Sequence, residues 1–328
     1  MKPTVTVTHN FPEVALEKLR SRAEVLYNDS GNSLSVDQLR ENAGKSQALI
    51  SYLTDKIDAA VIDAGGKHLK IIANYGAGFN NIDIAYAQKK NIWVSNTPGV
   101  LHETTADLTW AMMLGIARRI VESDRFTRAE KFHGWQGDLF LGGDVYGKTL
   151  GVIGCGEIGK AVARRALGFD MRVLYHQRKR LPEAEEKKLN ARFVSLDELL
   201  RESDFITLHV PLTDETKYLI GRDQLAMMKP TAYLIHAARG KVVDDRALVE
   251  ALKINTIAGA ALDVFEDEPE LTEDMTELDN LILLPHIGSA SVTTRDTMAL
   301  LVIDNVFDAL DGKTPRTLIP NWPGKRDA

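Results

Sequence analysis

The sequence predicts an α/β protein with two doubly wound parallel sheets, one in an outer domain and one in a domain inserted into it. Three observations lead to this fold class. Short apolar strands alternate with helices in two series along the 328 residues, a glycine-rich turn lies in mid-chain, and one long helix follows the second series. Such alternation is typical of parallel sheets covered by helices on both faces. We expect residues 1–100 and 290–328 to form the outer domain and residues 101–289 the inserted domain.

The first series accounts for the outer domain. Strands are predicted at 4–8, 24–27, 48–52, 69–73 and 92–94, and helices at 12–23, 36–43, 58–64 and 84–90. The last helix, 293–310, has apolar residues at helical spacing and is expected to return to this domain.

The second series begins after a helix predicted over 101–119. Strands are predicted at 149–153, 172–175, 205–210, 232–236, 257–263 and 281–284. Six strands with intervening helices fit a dinucleotide-binding sheet.

The glycine-rich turn has the spacing of a phosphate-binding turn. Gly154, Gly156 and Gly159 lie between the apolar strand at 149–153 and an amphipathic helix. The first glycine makes a tight turn, the second lets the backbone approach a pyrophosphate, and the third lets the helix pack on the strand. The N–H groups at the start of the helix, around Glu157 and Ile158, would face the phosphates. The inserted domain is therefore predicted to be Rossmann-like.

Composition excludes several classes of protein. The net charge is −6, and no basic run or patch interleaved with aromatic residues suggests a nucleic-acid partner. No apolar run reaches the roughly 20 residues that span a bilayer, so no membrane partner is expected. Cys155 is the only cysteine, which leaves neither a disulfide framework nor a zinc cluster, and we expect no metal. The N-terminal residues lack the apolar core of a signal peptide, so the expected location is the cytoplasm.

Three polar residues follow predicted strands, where an open α/β sheet places its ligand crevice. They are Arg239, Glu268 and His286. Taken singly, each has an ordinary structural explanation: a solvated surface charge, a member of an acidic loop, and a structural histidine.

Taken together, they match a family. The chain resembles the D-isomer-specific 2-hydroxyacid dehydrogenases, and most closely the glyoxylate/hydroxypyruvate reductase branch, which includes 2-ketogluconate reductases. The shared motifs, in chain order, are the segment 74–83, the glycine turn 154–159, Ala238-Arg239-Gly240, the segment 262–269 with Glu268, and Pro285-His286-Ile287-Gly288-Ser289. The resemblance covers nearly the whole chain.

The resemblance implies hydride transfer between a nicotinamide and C2 of a small 2-oxo acid. His286 would donate the proton that the developing alkoxide needs. Glu268 would hold the far ring nitrogen and favour the imidazolium, and Arg239 would bind the substrate carboxylate and polarise the carbonyl. The outer domain would be a flavodoxin-like substrate-binding domain, in which Leu53 and the backbone of Ala77 and Gly78 contact the substrate.

Cofactor contacts are expected along the inserted domain. Beyond the glycine turn they are Thr105, Gln177, Arg178, Arg180, His209, Val210, Pro211, Thr216, Ala237, Ala238, Asp263 and Gly288, with Asp263 on the nicotinamide carboxamide. NAD-selective sites place an acid at the end of the second strand, but residues 176–180 contain none. Arg178 and Arg180 would instead pair with a 2′-phosphate. We predict that NADP(H) is preferred and that NAD(H) is possible.

Other interpretations remain open from the sequence. The D-lactate, phosphoglycerate, phosphite and formate dehydrogenases share this architecture, although Glu268 argues against the last. A dinucleotide-sensing protein similar to the C-terminal-binding-protein corepressors is a further alternative. The apolar helix 101–119 favours a homodimer formed through the nucleotide domain. The natural 2-oxo acid stays unresolved among glyoxylate, hydroxypyruvate and 2-ketogluconate.

Overall fold

A computed structural model of the chain describes residues 2–319 and residue 322. Of the span predicted for the outer domain, residues 1, 320, 321 and 323–328 therefore lie outside the described residues. The chain divides into two compact units, which we call unit 1 (Met1–Leu101 with Ala290–Ala328) and unit 2 (His102–Ser289).

Unit 1 contains a parallel sheet of five strands in the order β2-β1-β3-β4-β5. The strands are β1 (Thr4–Val7), β2 (Glu24–Tyr27), β3 (Ala48–Ser51), β4 (Ile71–Asn74) and β5 (Trp93–Ser95), and the helices between them are α1 (Glu13–Arg22), α2 (Val36–Lys45), α3 (Ala59–Gly65) and α4 (Ile84–Lys89). Side-chain caps begin three of these helices: Ser35 with Gln38 forms a capping box on α2, and Asp58 and Asp83 cap α3 and α4. All four residues of β3 and of β4 are buried, as expected for strands covered on both faces.

Unit 2 contains a parallel sheet of seven strands in the order β12-β11-β10-β9-β6-β7-β8. The strands are β6 (Thr149–Ile153), β7 (Arg172–His176), β8 (Ala191–Phe193), β9 (Phe205–Leu208), β10 (Tyr233–His236), β11 (Gly259–Leu262) and β12 (Leu281–Leu283). The helices are α5 (His102–Ala117), α6 (Ile120–Arg128), α7 (Glu157–Ala166), α8 (Glu183–Leu189), α9 (Leu196–Glu202), α10 (Arg222–Met227) and α11 (Asp245–Lys253).

Strand order reverses at β6, which pairs with β7 on one side and β9 on the other. All five residues of β6 are buried. Ligands of open α/β sheets bind outside the carboxyl ends of the strands at such a reversal. The topology therefore places the crevice of unit 2 beside the glycine turn that follows β6.

The chain returns to unit 1 through α12 (Val292–Leu310), which Ser291 caps. Within unit 1, α12 and its C-cap residue form ion pairs with α1: Asp304 of α12 contacts Lys18 at 2.5 Å, and the C-cap Asp311 contacts Arg22 at 2.7 Å. Among the helices of residues 2–319, none is long and apolar enough to cross a membrane.

The predicted fold class of two parallel-sheet α/β domains is confirmed, with two differences in unit 2. The sheet has a seventh strand, β8, and a helix, α6, follows α5 where the prediction ended one helix at residue 119. Arg119 adopts a left-handed φ of 53° and ends the first helix, so α6 starts in a new direction.

Candidate active site

The glycine turn contains two close backbone approaches that side chains would block, at Gly154 and Gly159, and an open position at Gly156. Gly154 has φ +90°, and a Cβ there would lie 2.8 Å from the His209 carbonyl carbon. A Cβ on Gly159 would lie 2.2 Å from the carbonyl oxygen of Gly154. Gly156, the N-cap of α7, has no atom within 4 Å of its Cβ position. The bare backbone at the start of α7 therefore fits the pyrophosphate of a dinucleotide.

The loop after β9 borders this turn. The His209 N–H donates to Ile153 O at 2.8 Å, and Val210 packs against Gly154. Burial lowers the pKa of His209 to about 3, with a further contribution from His236, so the ring is neutral. The Thr216 hydroxyl donates to Pro211 O at 2.6 Å and accepts from the Thr213 N–H at 2.8 Å, which holds the loop 211–216 closed.

Gln177, Arg178 and Arg180, which follow β7, differ in the contacts that their side chains make. Gln177 Oε1 accepts from the Cys155 N–H at 3.0 Å, while its Nε2 donates to Lys179 O at 2.6 Å, so Gln177 joins this loop to the glycine turn. Arg180 makes a two-point contact with Glu186, at 2.8 Å to each carboxylate oxygen, and with Tyr175 it lowers the pKa of Glu186 to about 2. Arg178 is exposed; the pKa of Glu215 is lowered mainly by a hydrogen bond with Thr213, and the charge of Arg178 adds a smaller contribution. Of the two predicted arginines, Arg180 is thus held by a carboxylate of its own unit.

Glu268 and His286 form a hydrogen-bonded pair. Nδ1–H of His286 donates to Glu268 Oε2 at 2.8 Å, and Glu268 Oε1 accepts from the Phe265 N–H at 3.2 Å. The two side chains are 34% and 31% exposed, so Nε2 of the imidazole remains accessible to a ligand. His286 has φ +56°, a left-handed conformation that non-glycine residues adopt at a cost and that is enriched at functional sites.

Asp263 fixes the turn that contains His286. Its two carboxylate oxygens accept from the N–H groups of Ile287 and Gly288, each at 2.7 Å. Burial raises the pKa of Asp263, and these two N–H groups together with His286 oppose the rise. A Cβ on Gly288 would lie 3.1 Å from Asp263 Oδ2 and 3.4 Å from Thr105, so the predicted cofactor residues Thr105, Asp263 and Gly288 lie together.

Arg239 follows β10 on the same edge of the sheet. Its guanidinium donates to Ala238 O at 2.6 Å, and burial lowers its pKa while Glu268 opposes that change. The His236 ring is fully buried, and its Nε2–H donates to Arg239 O at 3.0 Å. Unit 2 thus brings Arg239, Glu268 and His286 to one edge, with a cation, a carboxylate and an imidazole in electrostatic contact.

The predicted substrate residues of unit 1 lie after β3 and β4. The Leu53 side chain covers Gly76, where a Cβ would lie 2.7 Å from Leu53 Cδ2. Asn96 donates to Ala77 O at 2.7 Å and Asn74 donates to Gly78 O at 2.6 Å. Within residues 2–319, the N–H groups of Ala77 and Gly78 have no hydrogen-bond partner, which suits a backbone anion site.

Sequence reasoning missed the residues that support these groups. Asn74 and Asn96 hold the carbonyls of the loop in unit 1, and Asp245 accepts from the Glu266 N–H in unit 2. Asparagines at the ends of β4 and β5 are a usable signal, because side-chain amides there often bond to loop carbonyls. Nothing in the sequence around Asp245 indicates its distant backbone partner.

Comparison with known proteins identifies the family. The sequence model of the D-isomer specific 2-hydroxyacid dehydrogenase NAD binding domain matches residues 110–288. The chain belongs to this family. A glyoxylate reductase of Thermococcus onnurineus is 48% identical over 323 residues, which cover 97% of this chain and 96% of that protein. The resemblance to the family and to its glyoxylate reductase branch is thereby confirmed.

Solved structures of the family agree. A glyoxylate reductase from Paecilomyes thermophila has a TM-score of 0.86 and 33% identity, covering 97% of this chain and 98% of that one. An NADPH-dependent glyoxylate/hydroxypyruvate reductase from Sinorhizobium meliloti, solved with NADP and malonate, has a TM-score of 0.86 and 30% identity, covering all of both chains. The protein is an NAD(P)-dependent D-2-hydroxyacid dehydrogenase that acts on a 2-oxo acid.

Proposed function

We propose that this enzyme reduces glyoxylate, hydroxypyruvate or 2-ketogluconate to the D-2-hydroxy acid, with His286 as the general acid. The observation that supports this most is the hydrogen bond of 2.8 Å between His286 Nδ1 and Glu268, which leaves Nε2 to face a substrate. The glyoxylate reductases among the relatives support the substrate class. In this proposal unit 1 is the substrate-binding domain and unit 2 the nucleotide-binding domain.

A nicotinamide dinucleotide held at the glycine turn would supply the hydride that C2 of the 2-oxo acid accepts. His286 gives its Nε2 proton to the carbonyl oxygen, so that the 2-oxo acid, one hydride and one proton yield the 2-hydroxy acid. Glu268 accepts from Nδ1–H throughout and stabilises the charged ring before the transfer. Oxidation is the reverse and requires His286 to be neutral.

Arg239 and two backbone groups are proposed to bind the substrate. The Arg239 guanidinium is permanently charged and has the planar fork that pairs with a carboxylate. It also opposes the negative charge that develops on the carbonyl oxygen. The Ala77 and Gly78 N–H groups are proposed to donate to the substrate carboxylate, and Leu53 to contact its carbon chain.

A panel of substrates tests the proposal. Purified enzyme is assayed for NADPH and NADH oxidation with glyoxylate, hydroxypyruvate, 2-ketogluconate, pyruvate and phosphohydroxypyruvate. We expect turnover with at least one of the first three and a loss of kcat of about 100-fold or more in His286→Ala. His68→Ala, at an exposed histidine of unit 1, is the matched control. Preference for pyruvate or the phosphorylated acid would instead favour a D-lactate or phosphoglycerate type, and no turnover would overturn the proposal.

NADP(H) is the proposed preferred cofactor, with NAD(H) as a second. The exposed Arg178 guanidinium at the end of β7 supports a contact with the 2′-phosphate, because residues 176–180 contain no acid to repel it. The preference is tested by measuring the KM for NADPH and the KM for NADH with the same 2-oxo acid; the preferred cofactor is the one with the lower KM.

We also propose a homodimer formed through unit 2. Large apolar side chains are exposed along 120–146, with Trp135 at 87%, Leu141 at 69% and Tyr146 at 69%. Several large exposed apolar side chains within one segment favour a subunit interface. Light scattering after gel filtration is expected to give twice the chain mass, and Leu141→Arg to shift it to the monomer; a wild-type monomer would contradict the dimer. A cytoplasmic location stays a prediction.

A further inference from the structure

The loop that carries Glu268 is anchored to the chain segment 218–245 by three side chains. Asp245 Oδ2 accepts from the Glu266 N–H at 2.8 Å. The Tyr218 hydroxyl donates to the Glu266 carboxylate, and Lys241 forms an ion pair with Asp267 at 3.1 Å. Asp245 is fully buried, whereas both side chains of the Lys241 pair are largely exposed.

The buried anchor outweighs the exposed ones. Exposed ion pairs contribute little because water screens them and the long side chains lose entropy. A hydrogen bond from a backbone N–H to a buried carboxylate is charge-assisted and unscreened. The two segments also meet backbone to backbone, since a Cβ on Gly240 would lie 1.8 Å from Phe265 O. Asp245 therefore supplies the buried, charge-assisted contact where these two segments pack together.

Asp245 is not needed to begin its helix. The N-cap of α11 is Asp244, whose side chain accepts from the Ala247 N–H at 3.0 Å. Burial raises the pKa of Asp245 to about 6, Glu266 and Asp244 add to the rise, and the Glu266 N–H and the Thr272 hydroxyl oppose it. Burying a carboxylate next to two others lowers the stability of the folded state, and such unfavourable ionisable groups are typical of functional sites.

We infer that Asp245 is a positioning residue that holds Glu268 opposite His286. The inference rests on the proposed function of that pair. Glu266 is two residues before Glu268, and the adjacent Phe265 N–H itself donates to Glu268 Oε1. Asp245 thus positions the backbone at Glu266, and the neighbouring backbone at Phe265 positions the Glu268 side chain. Without the acceptor, the Glu266 N–H is left unpaired, the segment shifts, and Glu268 no longer aligns the imidazole.

Two substitutions with side chains of similar size distinguish the loss of the hydrogen-bond acceptor from the loss of side-chain volume at residue 245. Asp245→Asn keeps an oxygen for the Glu266 N–H, and Asp245→Leu fills the same volume without an acceptor. The control is Asp244→Ala, which removes the helix cap and leaves the loop anchor. Each variant is assayed with NADPH and the best 2-oxo acid for kcat, KM and the pH profile of kcat/KM.

We expect Asp245→Leu to lower kcat by about tenfold or more, as loss of an orienting partner of a functional histidine does. The fall of the reductive kcat/KM at high pH should move to lower pH, because the imidazolium loses the support of Glu268. Glu268 and Asp263 are in electrostatic contact with the imidazole, and Arg239 and His236 are in electrostatic contact with Glu268; none of these groups is altered in these variants. Asp245→Asn should restore kcat and the profile, and Asp244→Ala should change neither.

The outcomes distinguish this inference from the proposed function. A wild-type enzyme that turns over while Asp245→Leu keeps its kcat and pH profile overturns the inference and leaves the proposed function intact. A wild-type enzyme whose turnover survives His286→Ala overturns the proposed function. If Asp245→Leu fails to fold, Asp245→Ala takes its place. The inference is then overturned if Asp245→Ala has the same kcat and the same pH profile of kcat/KM as Asp245→Asn.

Discussion

Replacing Asp245 with asparagine should stabilise the protein above about pH 6 and have less effect in acid. The carboxyl is fully buried, and burial raises its pKa from 3.8 to about 6. The folded state therefore holds a proton that the unfolded chain releases between these two values. The free energy of unfolding falls as the pH rises through this window and then stays at the lower value. Asparagine keeps the acceptor for the Glu266 N–H and has no charge to bury.

The magnitude follows from the two pKa values. A shift of about two units corresponds to about 3 kcal/mol at full ionisation. About half of this destabilisation, roughly 1.5 kcal/mol, develops as the pH rises from about 5 to about 8, when the proton binding of the folded and unfolded states is integrated over that range. Any effect of the asparagine amide on the free energy of unfolding that does not depend on pH cancels when the same variant is compared at the two pH values.

Urea unfolding followed by circular dichroism measures this difference. The free energy of unfolding is determined near pH 5 and near pH 8 for the wild type, Asp245→Asn and Asp223→Asn. Asp223→Asn is the control, because Asp223 is an exposed aspartate of α10 and does not contribute to the pKa of Asp245. A stabilisation by Asp245→Asn that is equal at both pH values, or larger near pH 5, would refute the reasoning.

The remaining predictions concern cofactor and substrate binding. Arg178→Ala should raise the KM for NADPH by about tenfold and leave that for NADH unchanged, since one charge-assisted phosphate contact is lost; equal effects on both cofactors would argue against the assignment. Arg180→Ala should leave the cofactor preference unchanged and lower the free energy of unfolding, because the buried Glu186 carboxylate loses its cationic partner and keeps only Tyr175; urea unfolding checks this. Arg239→Lys should raise KM for the 2-oxo acid and lower kcat, because a lysine cannot make the two-point contact; steady-state kinetics would contradict this if both stayed within twofold of the wild type.

Most strands of both sheets were predictable because they are buried on both faces and stand out as apolar runs. The strand β8 was missed because its three residues form a half-buried edge with a polar centre, Arg192. The helix α6 has no buried residue, so no apolar stripe indicates it. Strand β9 ends at Leu208 and not at the predicted residue 210, because the backbone at His209 and Val210 leaves the sheet to pack on Gly154.

The candidate site was predictable where a residue follows a strand. Arg239, Glu268 and His286 all lie there, and topology alone brings such positions to one edge. The pairing of Arg180 with Glu186 could not be predicted, because it depends on the side-chain position of a residue in α8. The contacts of Asp263 with two N–H groups depend on the left-handed backbone at His286, which the sequence does not indicate.

The pH dependence of His286→Gln tests the central claim most directly. In the wild type, kcat/KM for reduction should fall as the pH rises and His286 loses its proton, while kcat/KM for oxidation rises over the same range. In His286→Gln both values should be low, and neither should show that transition. Reduction by His286→Gln at a rate near that of the wild type, with the same pH profile, would contradict the assignment of His286 as the acid.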